Sequence, residues 1–249
     1  MLYLPLLAVS IYSVNATRVG LVWKGFTLSW YTQLFQNELI LNATWNTLQL
    51  ATLSTLIATV LGTCLAIGLE RFPWRPRTQW ALDTLVDLPI VTPDIIFAAA
   101  LVVAFGIVRV FWAEYQSGMA SMIIGHVTFQ IAFVALIVRS RLKTLGNTFS
   151  EAASDLYASP PDLFKRVTLP LILPSILAGA TLAFTLSLDD FVISFFTSGP
   201  KSDTLPIFIY ASLRRGLSPE LHALSTLIVL ITVLLVLGLQ KLSKTPIEE

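Results

Sequence analysis

The stretch NTLQLATLSTLIATVLGTCLAIGL, from Asn46 to Leu69, contains 24 residues and no charged side chain. As an α-helix it would extend for about 36 Å, and the hydrocarbon core of a bilayer is about 30 Å thick. It lacks the long alternation of polar and apolar residues that a membrane barrel strand shows. The stretch therefore predicts a helix that crosses a membrane.

Four further stretches have the same apolar character: Val86–Phe111, Met119–Val138, Leu171–Phe191 and Leu221–Leu239. The opening segment, Met1–Val14, is also apolar but would cover only about 21 Å as a helix. We interpret it as a sixth span that is either short or deprived of residues upstream. The predicted fold is all-α, a polytopic membrane helix bundle of about six transmembrane helices, with residues 1–249 forming a single transmembrane domain.

The composition argues against a soluble protein. Hydrophobic residues make up 55% of the chain and charged residues 12%, and the mean hydropathy is +0.76. Soluble domains carry about 25% charged residues, so a soluble fold of this length would leave too much apolar surface in water. The net charge of +1 gives no reason to expect nucleic-acid binding. Cys64 is the only cysteine, which excludes an intrachain disulfide.

The distribution of basic residues predicts the orientation. If the chain starts inside the cell, ten of its sixteen Lys and Arg residues fall on the inner loops. Short loops rich in positive charge stay in the cytoplasm, so we expect an inner-membrane protein with both termini cytoplasmic. The opening MLYLPLLAVSIYSV lacks a basic leader and a small-residue cleavage site, so we do not expect a cleavable signal peptide.

The inner loop at Ser140–Pro170 is long for a simple connection between two spans. Within it, TFSEAASDLYASPPDLFKRVTLP contains a short helix signal, because Ser150 is a suitable N-cap for a helix over Glu151–Tyr157. The two prolines at 160 and 161 should end that helix, and residues 162–167 can form a second turn.

One side of this predicted short helix is apolar. Ala152, Ala153 and Leu156 form a small face with Asp155 beside it. Such a face is suited to docking in a groove of a soluble partner. The alternative is an interfacial loop with a purely structural role.

The same loop resembles the EAA loop of type I ABC importer permeases. The resemblance rests on Glu151, Ala152 and Ala153, followed by Val167, Leu169 and Pro170. In that family the loop forms coupling helices that sit in a cleft of the ATP-binding subunit. The resemblance implies an ATPase-coupling role for these residues and for the neighbouring Asp155, Leu156 and Tyr157.

This chain departs from the family pattern at Tyr157, where the family has glycine. Glycine permits a tight turn at little steric cost, whereas tyrosine must adopt ordinary backbone angles or bear strain. We therefore expect the docking geometry, or the partner's cleft, to differ somewhat at this position.

The resemblance narrows to the PotC-type permeases of spermidine/putrescine transport systems along nearly the whole chain. The matching segments are Ser13–Asn15, Gly25–Tyr31, Thr92–Ile95, Gly125–Phe129, Ser140–Lys143, Phe184–Pro200 and Ser218–Glu220. It implies a heterodimer with a second homologous permease, two copies of an ABC ATPase and a periplasmic polyamine-binding protein. ATP and Mg would be used by the ATPase, with no cofactor bound by this chain.

Three carboxylates lie within the predicted spans. A charged aspartate in the bilayer costs about 2.5–3.5 kcal/mol, so such residues usually face a cavity or a partner. Asp94 follows Pro93 in the third span, and Asp189 and Asp190 close the fifth. As helix neighbours the last two point about 100° apart, so one should face the substrate pathway while the other makes a structural bond. The sequence does not say which.

Aromatic residues accompany the carboxylates. Phe184 and Phe191 flank the aspartate pair, and aromatic faces attract ammonium groups through cation–π contacts. We include both in the candidate pathway, with helix packing as the alternative role. The two histidines lack a second ligand at metal-binding spacing, so we assign hydrogen-bonding roles to them and expect no metal site.

Other functions remain open at this stage. A permease of the same architecture could carry another solute, such as ferric iron, thiamine or an aminophosphonate. An autonomous secondary transporter is a second alternative, although such folds often show internal repeats, and the two halves of this chain show none. The chain has no GxxxxGK[ST], HExxH or GxSxG motif, so we expect it to be no enzyme and ATP hydrolysis to occur on another polypeptide.

Overall fold

The computed structural model describes residues 1, 3–17, 22–146, 148–215 and 219–243. Within these ranges the chain is helical, and its strand-like pairing is a single isolated bridge between Asn15 and Phe26. The helices are α1 (Leu4–Tyr12), α2 (Ser29–Gln36), α3 (Glu38–Arg71), α4 (Pro76–Val91), α5 (Asp94–Phe111), α6 (Met119–Leu145), α7 (Thr148–Asp155), α8 (Pro160–Asp162), α9 (Leu169–Asp189), α10 (Val192–Thr197), α11 (Leu205–Arg215) and α12 (Pro219–Ser243). A π-helical turn, Leu163–Thr168, joins α8 to α9. The predicted all-α class is confirmed.

The helices group into two compact units. The first contains Met1–Asn42 and Phe208–Glu249, and the second contains Ala43–Ile207. In the first unit α12 packs against α1 and α2, and the Asn37 side-chain amide donates a 3.0 Å hydrogen bond to the Glu220 carboxylate. The second unit contains every residue for which the sequence predicted a function.

Four helical segments of the described chain are long and apolar enough to cross a membrane: Glu38–Arg71, Asp94–Phe111, Met119–Leu145 and the continuous run Pro160–Asp189. Two further apolar stretches, Leu205–Arg214 and Pro219–Leu234, belong to α11 and to the 25-residue α12. The first helix, α1, has nine residues and extends for about 14 Å. It is therefore even shorter than the expected opening span.

The span predicted over Val86–Phe111 is wrong as a single helix, because it is divided between α4 and α5. Thr92 separates them with φ −74° and ψ 131°. A residue that precedes proline is pushed out of the α-helical region by the proline ring, and Pro93 follows Thr92 directly. The break makes Asp94 the first residue of α5.

The predicted second turn over residues 162–167 is not a separate element. It is part of one helical run from Pro160 to Asp189, 30 residues long. Pro170 has no N–H to donate to the Arg166 carbonyl, so regular α-helical bonding is interrupted there. A π-helical turn in the segment before Pro170 is consistent with that interruption.

Helices α6 and α9 form the core of the second unit. Val134, Val138 and Leu142 of α6 cluster with Ile172 and Ala183 of α9. The same cluster contains the small residues Ala66, Ala135 and Ala183.

Gly62 of α3 lies close against Val134 of this core. A Cβ atom added to Gly62 would lie 2.8 Å from the Val134 Cβ, which leaves no room for a larger residue. Small residues are the usual means by which membrane helices approach one another.

Candidate functional site

Two adjacent carboxylates, at the end of α9, have different surroundings. Helix α9 ends at Asp189, and Asp190 is extended, with φ −65° and ψ 123°. The Asp190 carboxylate accepts hydrogen bonds from the backbone N–H groups of Ser194, at 2.8 Å, and Ile193, at 3.2 Å. These are among the first N–H groups of α10, which have no partner within that helix. Asp190 therefore caps α10.

The same carboxylate contacts a buried histidine. His126 of α6 is 2% exposed, and its Nε2 atom lies 3.3 Å from the Asp190 Oδ2 atom and 3.0 Å from the Ser194 hydroxyl. Its Nδ1 atom lies 2.7 Å from the Ser187 hydroxyl, which in turn lies 3.2 Å from the Ser54 hydroxyl. This polar network connects α3, α6, α9 and α10, and it agrees with the hydrogen-bonding role predicted for His126.

Asp189 lies on the other side of the helix end and is exposed. Thr181, Thr185 and Asp189 are all exposed. They are spaced four residues apart and therefore share one face of α9. The two threonine hydroxyls donate to carbonyls of the preceding turn, Leu177 at 2.8 Å and Thr181 at 2.9 Å. The carboxylate is thus at the end of a hydroxyl-bearing stripe, without the bonds that hold its neighbour.

A cavity of about 340 Å³ lies between α3 and the same part of α9. Its lining comprises Thr52, Thr55, Leu56, Leu177, Ala180, Thr181 and Phe184. The predicted pathway residue Phe184 therefore presents its ring to a space beside the hydroxyl stripe. Phe191 is half-buried, and its ring centroid lies 5.3 Å from that of Phe195, so it belongs to an aromatic stack next to the end of α9.

Asp94 is exposed at the start of α5. Phe97, one turn later, contacts Phe129 of α6 with a ring-centroid distance of 5.6 Å. Helix α5 also packs against α10, the helix that Asp190 caps. A negative charge at a helix N-terminus is stabilised by the helix dipole, which lowers the cost of this exposed carboxylate.

The predicted coupling helix differs from expectation at both ends. Helix α7 covers Thr148–Asp155, so the prediction of Ser150 as its N-cap is wrong, because Ser150 lies inside the helix. The expected apolar face is also divided. Ala153 is buried, whereas Ala152 and Leu156 are exposed, because Ala153 faces the protein where α7 packs against the π-helical turn.

A tight turn ends α7. The Ala158 N–H donates to the Ala153 carbonyl at 3.0 Å and the Leu156 N–H to the Ala152 carbonyl at 3.3 Å. Between them, Tyr157 has φ +59°. The six-residue hydrogen bond with a left-handed residue inside it is the Schellman helix ending. Tyr157 thus adopts the left-handed conformation that glycine adopts easily. Of the two possibilities given by the sequence, ordinary backbone angles or strain, the structure has the strained one.

The remaining coupling candidates follow in the long helical run. Val167 and Leu169 are half-buried and Pro170 is exposed. They lie in or next to the π-helical turn on which α7 packs. The structure therefore joins these residues to α7, and the helical run that contains the π-helical turn continues from them to Asp189.

Sequence reasoning missed the role of Arg139, which it counted only as a loop charge. Arg139 lies near the end of α6, and its guanidinium donates to Asp83 of α4 at 2.6 Å and to Glu70 of α3 at 3.2 Å. All three side chains are partly buried. No local pattern signals this cluster, since its members are separated by 13 to 69 residues in the chain.

Comparisons with known proteins identify the family. Residues 58–244 match the family described as binding-protein-dependent transport system inner membrane component. The putrescine transport system permease protein PotI of Escherichia coli K12 is 40% identical over 228 residues, covering 91% of this chain and 81% of the relative. The spermidine/putrescine permease PotC of the same strain is 35% identical over 243 residues, covering 98% and 89%. PotC of Haemophilus influenzae is 34% identical, covering 98% and 92%.

Solved structures support the same fold. A bacterial ABC transporter that imports the acidic polysaccharide alginate has a TM-score of 0.75 at 18% identity, covering all of this chain and 91% of the other. An alginate transporter in complex with its pentasaccharide-bound periplasmic protein has a TM-score of 0.76 at 20% identity, covering 98% and 88%. With the family match and the membrane-length helices, this chain belongs to the inner membrane components of binding-protein-dependent transport systems, and it is a multi-pass permease subunit of an ABC importer.

Proposed function

We propose that this permease translocates polyamines, of the spermidine and putrescine class, across the inner membrane in an ATP-driven importer. The relatives PotI and PotC are named as putrescine and spermidine/putrescine permeases, and they are 40% and 35% identical to this chain. The similarity covers 91% and 98% of this chain. A polyamine is a flexible chain of ammonium groups, and it is matched chemically by separated carboxylates, hydroxyl groups and aromatic faces.

The observation that carries the proposal is the exposed carboxylate of Asp189. It lies on the same face of α9 as the hydroxyls of Thr181 and Thr185, and Phe184 borders a cavity of about 340 Å³ beside that stripe. An exposed aspartate within membrane helices is costly unless it faces water, a partner or a cation. A second permease packed near this face would enclose a passage that has a largely apolar wall beside Thr181 and Phe184 and the Asp189 carboxylate at the end of the helix.

Asp94 is the second carboxylate of the proposed pathway, and we place Phe191 at the pathway's edge. In this assignment Asp190 has a structural task, because it caps α10 and contacts His126. We thus assign the pathway role to Asp189 and the structural role to Asp190, a choice that the sequence alone did not allow.

The proposed assembly contains a second homologous permease, two copies of an ABC ATPase and a periplasmic polyamine-binding protein, with both termini of this chain in the cytoplasm. The segment from Glu151 to Tyr157 would dock on the ATPase, which uses ATP and Mg. The helical run from Pro160 to Asp189 has 30 residues and extends for about 45 Å. It offers a continuous mechanical link from the docking segment, through Val167, Leu169 and Pro170, to the pathway carboxylate.

Solute-stimulated ATP hydrolysis tests the proposed substrate. The complete complex in lipid nanodiscs would be supplied with its binding protein and with putrescine, spermidine, thiamine, ferric iron or an aminophosphonate in turn. We expect putrescine or spermidine to stimulate hydrolysis and the other solutes to leave it at the basal rate. Stimulation by one of the other solutes, with none by polyamines, would reject the proposed substrate while keeping the family.

A further inference from the structure

Tyr157 has a backbone conformation that residues with a Cβ atom avoid. Its φ of +59° brings the Cβ close to a neighbouring carbonyl oxygen. The turn requires this conformation, because the bond from the Ala158 N–H to the Ala153 carbonyl closes around a left-handed residue. Glycine would meet the requirement without strain.

The described chain supplies nothing that holds the Tyr157 ring. The residue is 96% exposed, and the adjacent Leu156 is 82% exposed. The other described non-glycine residue with positive φ is Lys201, at +62°, and its carbonyl accepts a 3.1 Å hydrogen bond from the Asn46 side chain. Strained residues persist where surrounding structure or function requires them, and they are concentrated at functional sites.

We infer that the Tyr157 ring is an aromatic anchor that enters an apolar pocket of the ATP-hydrolysing subunit, so that docking offsets the backbone strain. This inference rests on the proposed function, in which the same segment couples transport to ATP hydrolysis. The ring and Leu156 form an exposed apolar centre, and the exposed carboxylates of Glu151 and Asp155 lie beside it. An aromatic centre with a polar rim is the usual anatomy of a protein–protein interface.

A lipid surface is the less suitable occupant. The cytoplasmic leaflet carries negative charge, and two exposed carboxylates beside the ring would be repelled by it. A protein cleft can place basic or hydrogen-bonding groups opposite Glu151 and Asp155 while its apolar pocket receives the ring.

The test measures binding of the purified ATPase to the permease pair in lipid nanodiscs. Tyr157→Gly removes both the ring and the strain, while Tyr157→Phe keeps the ring. Lys201→Gly is the matched control, because it removes the same kind of backbone strain at a position outside the docking segment. We expect both glycine variants to raise the thermal unfolding midpoint of the permease. Only Tyr157→Gly should weaken ATPase binding, by about tenfold or more, with Tyr157→Phe close to wild type.

Unchanged ATPase affinity in Tyr157→Gly would overturn the inference while leaving the proposed function intact, provided that the wild-type permease binds the ATPase. Failure of the wild-type pair to bind any ATPase would instead reject the proposed coupling itself. Loss of photo-crosslinking between the intact permease and anionic lipid of the nanodisc upon Tyr157→Gly, with ATPase affinity unaltered, would identify the ring as a membrane anchor and would also overturn the inference.

Discussion

The Nε2 atom of His126 in α6 lies 3.3 Å from the Oδ2 atom of Asp190, which follows α9 and is 64 positions away in the chain. Asp190 also accepts the backbone N–H groups of Ile193 and Ser194. The carboxylate is therefore held from two sides, and the chain leaves the helical conformation at this residue. Its neighbour Asp189 remains exposed on the last turn of α9.

Asp189→Asn should impair transport without impairing assembly. The variant keeps the size of the side chain but removes the charge that would attract an ammonium group, so we expect putrescine uptake at low concentration to fall by about tenfold or more, equivalent to about 1.4 kcal/mol. Uptake kinetics in proteoliposomes, together with the yield of intact complex, measure the two effects separately. Glu114→Gln, which removes an exposed carboxylate outside the proposed pathway, controls for a general loss of surface charge.

Asp190→Asn should instead impair the stability of the complex. Asparagine retains one acceptor oxygen but loses charge-assisted hydrogen bonding to α10 and the contact with His126, so we expect destabilisation of about 1–3 kcal/mol. Thermal unfolding of the purified complex measures the loss. A stable Asp190→Asn complex with no transport, alongside a fully active Asp189→Asn complex, would reverse the assignment of the two carboxylates.

His126→Leu should lower the stability of the complex by about 1–3 kcal/mol, because Ser187, Ser194 and Asp190 lose a buried partner. His126→Gln retains donor and acceptor atoms and should recover part of the loss. The comparison is made by thermal unfolding in the same detergent. Equal stability of the leucine variant and the wild type would show that the polar network does not hold the end of α9.

Arg139→Gln should loosen the packing of α6 against α3 and α4. The substitution leaves Glu70 and Asp83 without their cation, and the partial burial of these groups makes a loss of about 1–3 kcal/mol reasonable. A double-mutant cycle with Asp83→Asn measures the interaction, since the second substitution should cost less in the Arg139→Gln background. Strictly additive effects would show that the 2.6 Å contact contributes nothing.

Gly62→Val should destabilise the α3–α6 contact by about 1–3 kcal/mol, because the added carbons would overlap Val134. Val134→Ala, in the same chain, should restore part of the stability by making room. Gly68→Ala is the control, since its added Cβ meets nothing within 4 Å, and alanine favours a helix over glycine by about 1 kcal/mol. If Gly62→Val and Gly68→Ala shifted the unfolding temperature alike, the close approach would be refuted.

The sequence predicted those helices that are determined by the residues within them. Uninterrupted apolar residues at Asn46–Leu69 and Met119–Val138 locate membrane helices because bilayer thickness dictates the length that is needed. The break before Asp94 does not follow from proline alone, because Pro89 lies within α4 whereas the interruption occurs at Thr92, before Pro93. Helix boundaries of this kind depend on packing as well as on proline.

The division of roles within the candidate site could not be predicted. Asp189 and Asp190 are chemically identical, and their difference arises from contacts with His126 and α10 that form only when distant segments pack. Ala153 likewise belongs by sequence to the apolar face of α7, and tertiary packing turns it inward. The close approach of Gly62 to Val134 has a more local cause, because small side chains permit close packing wherever the partner helix lies.

ATP-driven import is measured as putrescine and spermidine uptake into proteoliposomes that contain both permeases, with the binding protein outside and ATP inside. We expect uptake with the ATPase subunits present, and no uptake when they are omitted or when ATP is replaced by a non-hydrolysable analogue. ATP-independent accumulation by the permeases alone, driven by an ion gradient, would contradict the account.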